Sequence, residues 1–172
     1  MDNRGELLGE FKGDDSLLIV QQNGILKTVK PDLNMHFPED MIILEKWISK
    51  KPLSVIYFDN NKERYFVKRF LAGNQKVDQQ FIPNDYKVQL EIVSSDWKPV
   101  LEISFSKTSK GQKENLIQNI EELISVKGIK ALGNQLTSLK VKNINLLDPI
   151  PYFEPEKAPI MDLEVKDEEN IG

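Results

Sequence analysis

The residues of this chain best suited to chemistry are its lysines and arginines, which cluster beside predicted turns. Such side chains neutralise phosphate groups, and a row of them can bind a nucleic-acid backbone without reading its bases. Residues 1–153 hold 21 basic and 20 acidic side chains, so composition alone favours the simpler interpretation that these lysines occupy exposed turns. The candidate residues for phosphate contacts are Lys62, Arg64, Lys68, Arg69, Lys107, Lys110, Lys113, Lys127 and Lys130.

Catalysis has little support in the sequence. The one histidine, His36, lies in a predicted loop, and the chain has no cysteine. The adjacent carboxylates Glu121 and Glu122 lie on a predicted strand, where neighbouring side chains point to opposite faces and do not converge on one ligand. The sequence contains no Walker loop, GxGxxG or GxSxG motif. We therefore expect a chain that catalyses nothing by itself and carries no metal or cofactor.

The net charge of −4 is unevenly divided along the chain. From Glu154 to the end there are seven acids and two bases, giving −5, so residues 1–153 carry +1. Four prolines between Pro149 and Pro159 precede the acids. This pattern predicts a folded domain over residues 1–150 and a proline-rich, acidic, disordered tail over residues 151–172. Acidic tails are usually solvated, and competition with phosphate for basic surface is the alternative.

The longest apolar runs, such as MIIL and LLIV, are far too short to cross a bilayer. Met1 is followed by polar residues instead of an apolar signal region. Without cysteines, nothing indicates an oxidising compartment. A cytoplasmic protein is expected.

Four stretches share one plan: an apolar run, a polar corner, and a second run that carries lysine or arginine. Paired strands that recur at intervals of 31 to 37 residues, as here, are typical of stacked sheets such as propeller blades. Any all-β protein can, however, show hairpins at uneven intervals. A further short strand is predicted at GELLGEF, within residues 1–13. The four corners lie near Gly24, Asn61, Trp97 and Gly128, which are 37, 36 and 31 residues apart.

The strongest apolar runs, LLIV from Leu17, VIYF from Val55 and YFV from Tyr65, do not alternate with polar residues. A strand with one wet face alternates, so continuous runs indicate burial on both faces. The segment Glu114–Leu123 fits a helix and a strand equally well, whereas Ile120–Leu136 is predicted to begin as a strand and to turn at Gly128. We predict sheets packed face to face, with the basic hairpin tips aligned on one rim.

Two motifs carry a family resemblance: EELISVKGIKALGNQLT at Glu121–Thr137 and LLIVQQNGILKTV at Leu17–Val29. Together they resemble the C-terminal domain of the A subunit of bacterial DNA topoisomerase IV, the β-pinwheel relative of the gyrase A C-terminal domain, over most of residues 5–148. The resemblance implies an all-β, partial β-pinwheel: an open, propeller-like array of three to four blades whose positive rim binds and bends DNA. The loop KTSKGQK lacks the arginine of the gyrase box, which favours topoisomerase IV.

The function implied by the resemblance is that of a non-catalytic DNA-binding and DNA-bending domain, which presents duplex segments to the breakage-reunion core of an ATP-dependent type II DNA topoisomerase. Its partners would be double-stranded DNA, the A-subunit core and the B subunit, at the nucleoid. No cofactor is expected in this chain, since Mg²⁺ and ATP would be used elsewhere in the holoenzyme. The alternative is a protein-interaction module that docks on the core with little DNA contact. The length favours an excised piece that begins at an added Met1 over a shortened family member.

Overall fold

The structure is a computed structural model that describes residues 13–153. The strand predicted at GELLGEF and the acidic segment from Glu154 onward lie outside the described residues. Within them the chain forms twelve strands and one short helix. The strands are β1 (Leu17–Gln21), β2 (Ile25–Val29), β3 (Met41–Lys46), β4 (Leu53–Asp59), β5 (Arg64–Phe70), β6 (Gln79–Gln80), β7 (Val88–Ser94), β8 (Val100–Phe105), β9 (Leu116–Asn119), β10 (Val126–Lys127), β11 (Asn134–Gln135) and β12 (Val141–Leu147), and the helix is α1 (Ile120–Leu123).

The strands form three sheets, which we call A, B and C. Sheet A has the order β3-β1-β2-β6, sheet B the order β10-β5-β4-β7 with β11 also paired to β5, and sheet C the order β12-β8-β9. Every pairing is antiparallel except that of β10 with β5. Over residues 13–153 the sheets do not close into a barrel. The prediction of an open, blade-like all-β array is confirmed.

Sheet B lies between the other two sheets and is buried on both faces. From β4, Val55 and Tyr57 pack with Leu18 of sheet A in one hydrophobic core. The intervening residue Ile56 packs with Leu101 of sheet C in a second core. Because successive side chains of a strand point to opposite faces, β4 must be apolar at consecutive positions to fill both cores. The prediction of burial on both faces, made from the continuous apolar runs, is confirmed for this sheet.

Two of the four predicted corners are hairpins. Gly24 joins β1 to β2 with φ of 88°, a backbone conformation that favours glycine, and a Cβ there would collide with the Ile82 side chain. The second turn joins β4 to β5. Its Asp59 side chain accepts hydrogen bonds from the backbone N–H groups of Asn61, at 2.8 Å, and of Lys62, at 3.3 Å. Both turns are set by local chemistry, which explains why the sequence reveals them.

The corner predicted at Trp97 is not a hairpin. It is the crossover from β7 of sheet B to β8 of sheet C, over residues 95–99. Pro99 lacks an N–H donor, and Ser94 Oγ accepts a hydrogen bond of 3.1 Å from the Asp96 N–H. The backbone therefore turns away from β7 instead of folding back on it.

The prediction of a hairpin at Gly128 is also wrong. β10 and β11 pair with β5, and not with each other. The predicted strand at the start of this stretch is wrong as well, because Ile120–Leu123 is the helix α1. Asn119 caps it: Asn119 Oδ1 accepts a 3.0 Å hydrogen bond from the Glu121 N–H, and two glutamates occupy the first turn. Both features favour a helix start over a strand.

The last described residues return to the crossover. The Ile150 N–H donates a 3.0 Å hydrogen bond to the Lys98 carbonyl. The rings of Trp97 and Tyr152 stack with centroids 4.3 Å apart. The described fold thus extends to Tyr152, and the disorder expected of the tail stays a prediction for residues from Glu154 onward.

Candidate nucleic-acid interface

A groove of about 520 Å³ opens between the β4–β5 turn of sheet B and the segment that leads into β12 of sheet C. We call it the basic groove; residues 58, 62–65 and 137–141 line it. Lys62, Arg64 and Lys140 are exposed there, and Glu63 is the one acid among the lining residues, which leaves a net charge of +2. A concentration of positive charge of this kind attracts phosphates.

The turn that carries Lys62 and Arg64 is held by contacts outside itself. The Asn60 N–H donates to the Lys87 carbonyl at 2.9 Å, and Asn61 Nδ2 donates to Asp85 Oδ2 at 3.0 Å. The Lys62 ammonium lies 5.3 Å from the centroid of the Phe66 ring, within the range of a cation–π contact. The cations of the groove are therefore presented on a braced turn.

The groove also contains two half-buried aromatic rings. Phe58 and Tyr65 are cross-strand partners whose ring centroids lie 4.7 Å apart, with the planes tilted by 59°. Burial, assisted by the negative charge of Glu91, raises the pKa of the Tyr65 phenol, so this group stays neutral and can donate a hydrogen bond. The Leu136 N–H donates to the Tyr65 carbonyl at 2.9 Å, which fixes the segment ahead of β12 against β5.

The lysine-rich loop 107–113 lies at the same end of sheet C as the groove. Phe105 pairs with Val141, and the Ser106 N–H donates to the Lys140 carbonyl at 3.0 Å. The loop closes on itself through two 3.0 Å backbone hydrogen bonds between Thr108 and Gly111, whose φ is 113°. Its predicted contact residues, Lys107, Lys110 and Lys113, are exposed.

Lys127 and Lys130 are exposed as well, but they lie at the other end of β5. Lys127 pairs with Phe70, whereas Arg64 begins the strand. Six residues of extended strand separate these two positions by about 20 Å. The exposed residues among the predicted phosphate contacts therefore form two groups, and the expectation of one continuous row is wrong.

Lys68 and Arg69 lie on β5 between the two groups and are buried, with 6% and 4% of their surface exposed. Lys68 Nζ donates to the carbonyls of Phe81, at 2.7 Å, and Ile129, at 2.6 Å. Burial lowers the pKa of Lys68 to about 8. Burial also lowers the pKa of Arg69, which the charge of Glu121 partly offsets. Neither cation is placed to reach a phosphate on the surface, so we leave both out of the proposed contact surface.

The motif VKGIKALGNQL, the most specific part of the family resemblance, packs along β5. The Gly133 N–H donates to the Tyr57 hydroxyl at 3.0 Å. Burial raises the pKa of this phenol, and the hydrogen bond from Gly133 partly offsets that effect. A Cβ at Gly133 would lie 3.0 Å from the Val67 carbonyl oxygen. The motif is therefore fitted closely to sheet B.

Sequence reasoning missed Lys140 as a groove residue. Its basic character was visible, but the approach of residues 137–141 to the β4–β5 turn depends on the long-range hydrogen bond between Leu136 and Tyr65. No local pattern in the sequence reports that contact.

Within residues 13–153, no group of three or more His, Asp or Glu side chains is arranged to hold a metal ion. Over the same range, no helix is both long enough and apolar enough to span a membrane.

The sheets and the groove define the class of protein: an all-β domain of stacked, open sheets that presents exposed cations at strand ends. Residues 1–148 match the family model described as the topoisomerase C-terminal domain of Bacteroidota, and the chain belongs to that family. No curated protein and no solved structure matches the chain.

Proposed function

We propose that this chain is the non-catalytic DNA-binding and DNA-bending domain of a type IIA DNA topoisomerase, specifically of the topoisomerase IV A subunit. In this role it presents duplex segments to the breakage-reunion core at the nucleoid, with the A-subunit core and the B subunit as its protein partners. Mg²⁺ and ATP are then used elsewhere in the holoenzyme. The family match supports the assignment to a topoisomerase. The basic groove is the observation that carries the DNA-binding role.

The two groups of exposed cations supply the contacts. Lys62, Arg64 and Lys140 bind phosphates at the groove, and the loop 107–113 extends that group. Lys127 and Lys130 form the second group, about 20 Å away along β5. One turn of duplex is about 34 Å long, so a single segment can span both groups. A duplex held at two places on a stack of sheets follows its surface and bends, and such contacts carry no sequence information.

Removal of two groove charges tests this role. In electrophoretic shift assays on short duplex at two salt concentrations, we expect Lys62→Gln combined with Lys140→Gln to weaken binding of the full chain. Each lost phosphate contact reduces the slope of log K against log salt by about 0.9, so the slope should fall by about 2.

The matched control is Lys30→Gln combined with Lys50→Gln, which removes two exposed charges outside both groups. For this control variant, the slope of log K against log salt should stay close to that of the parent chain. Equal losses in the two double variants would show that only net charge matters and that the groove has no special role.

A protein-interaction module is the second candidate. The charge of +1 over residues 1–153 gives little general attraction for DNA. Apolar side chains are also exposed on both outer strands of sheet C: Ile117 is 56% exposed on β9, and Leu146 is 41% exposed on β12. On this alternative, the chain shows little DNA binding at either salt concentration but binds the A-subunit core in calorimetry without DNA.

A further inference from the structure

The interface between sheets B and C is closed at one end and open at the other. At the closed end the chain crosses from β7 to β8, Trp97 stacks on Tyr152, and the Ile150 N–H binds the Lys98 carbonyl at 3.0 Å. At the open end lies the basic groove, with its volume of about 520 Å³. Beside the groove, the Leu136 N–H donates to the Tyr65 carbonyl at 2.9 Å and holds the segment ahead of β12 against β5. The width of the groove therefore depends both on this contact and on how firmly the far end is held.

Arg69 lies at the closed end and joins sheet B to the crossover. Its Nε donates to Ser54 Oγ at 2.9 Å, and its Nη2 donates to the Trp97 carbonyl at 2.8 Å. Ser54 is the cross-strand partner of Arg69 within sheet B, whereas Trp97 belongs to the connection into sheet C. The rigid, planar guanidinium fixes these two acceptors relative to each other, which a flexible point charge cannot do equally well.

We propose that Arg69 is a positioning residue for the basic groove: by holding the crossover against sheet B, it sets the separation of Arg64 and Lys140 at the opposite end. Five residues of β5 separate Arg69 from Arg64, a distance of about 17 Å. Over that length, a rotation of about 10° at the closed end moves the open end by about 3 Å. A shift of that size breaks a hydrogen bond between a cation and a phosphate.

Lys68 provides a matched control because it is the next residue on the same strand and is equally buried. It lies on the opposite face of β5, and its partners are the carbonyls of Phe81 and Ile129. Lys68→Met therefore removes a buried cation and two hydrogen bonds without touching the interface between sheets B and C.

Distance measurement in the free protein tests the proposal. The chain has no cysteine, so Glu63→Cys and Ser138→Cys, at two exposed residues that line opposite walls of the groove, place two spin labels across it without removal of other thiols. We expect Arg69→Met to give a longer and broader distance distribution than the parent. Lys68→Met should leave the distribution unchanged, and Arg69→Lys should fall between the parent and Arg69→Met.

An unchanged distribution in folded Arg69→Met would overturn the proposal, as would an equal change in Lys68→Met. Circular dichroism checks folding, and if Arg69→Met does not fold, Tyr152→Ala tests the same end by removing the stack on Trp97. That variant should widen the distribution in the same direction. No widening in Tyr152→Ala would count against the proposal.

DNA binding gives the functional readout, and this part rests on the proposed function. Arg69→Met should raise the dissociation constant for short duplex severalfold while the salt slope stays near that of the parent, because every exposed cation is retained. A parallel loss of affinity and slope would show that Arg69 acts only through its charge. If the parent chain binds no DNA, the proposed function fails, while the distance measurement still decides the role of Arg69.

Discussion

Burial of single residues separates structural cations from exposed ones in this protein. In RYFVKRF, Lys68 and Arg69 lie between the apolar run YFV and Phe70, so the expected burial on both faces includes them. Arg64, at the start of the strand, is exposed. The sequence therefore contained a signal against the use of Lys68 and Arg69 as phosphate contacts. What it could not show is how they are stabilised, because their acceptors are distant backbone carbonyls: those of Phe81 and Ile129 for Lys68, and that of Trp97 for Arg69.

Lys68 makes the stability of the fold depend on pH in a definite direction. Burial lowers its pKa from 10.5 to about 8, so between these values the unfolded chain binds more protons than the folded one. The contribution of Lys68 to the free energy of unfolding should therefore rise as the pH increases from 8 to 10.5, by roughly 3 kcal/mol. The raised pKa values of the Tyr57 and Tyr65 phenols act in the opposite direction. The neutral amine keeps N–H donors for its two carbonyl partners.

The measurement is urea unfolding of the parent and of Lys68→Met at pH 7 and pH 10. The other titrating groups are common to both chains, so the difference between the two free energies isolates Lys68. This difference should shift in favour of the parent at the higher pH. If it is the same at both pH values, the ammonium group is better solvated than its position indicates.

The elements that the sequence predicted well are those set by local chemistry. The turns at Gly24 and Asn61 depend on positive φ and on an Asp59 cap, and both are visible in a few residues. The pairing of β10 and β11 with β5 was not predicted, because it depends on contacts far apart in the chain, such as that between Gly133 and Tyr57. These long-range contacts outweigh the local pattern around Gly128, where two apolar runs on either side of a glycine are typical of a hairpin.

The docking of the VKGIKALGNQL segment on β5 should depend on Gly133. A Cβ at this position would lie 3.0 Å from both the Val67 carbonyl oxygen and Phe66 Cβ, so Gly133→Ala forces these neighbours apart by a few tenths of an ångström. We expect a loss of about 1–3 kcal/mol in the free energy of unfolding. Gly128→Ala, in the same segment, meets nothing within 4 Å and should have a small effect. Chemical denaturation of both variants checks the difference; equal stabilities would contradict the docking.

At the scale of the whole molecule, three stacked sheets place two groups of exposed cations at opposite ends of β5. The all-β stack could be predicted because non-alternating strands demand cover on both faces, which two neighbouring sheets provide. The separation of the cations into two groups could not, because it depends on the pairing of Lys127 with Phe70. The segment from Glu154 to the end holds seven acids and two bases, and its effect on DNA binding stays a prediction.

In the proposed role, bending of the duplex requires both groups of cations at once. Reversal of charge at Lys127 and Lys130 should therefore weaken binding on all duplex sequences alike, flatten the salt dependence, and leave the duplex straighter when bound. A loss that depends on the DNA sequence would contradict phosphate contacts.

Energy transfer between dyes at the two ends of a short duplex, measured at saturating concentrations of the full chain, tests DNA bending most directly. We expect the parent chain to shorten the distance between the ends, added salt to reverse the effect, and Lys127→Glu combined with Lys130→Glu to reduce it. A bound duplex with an unchanged distance between its ends would contradict the bending role.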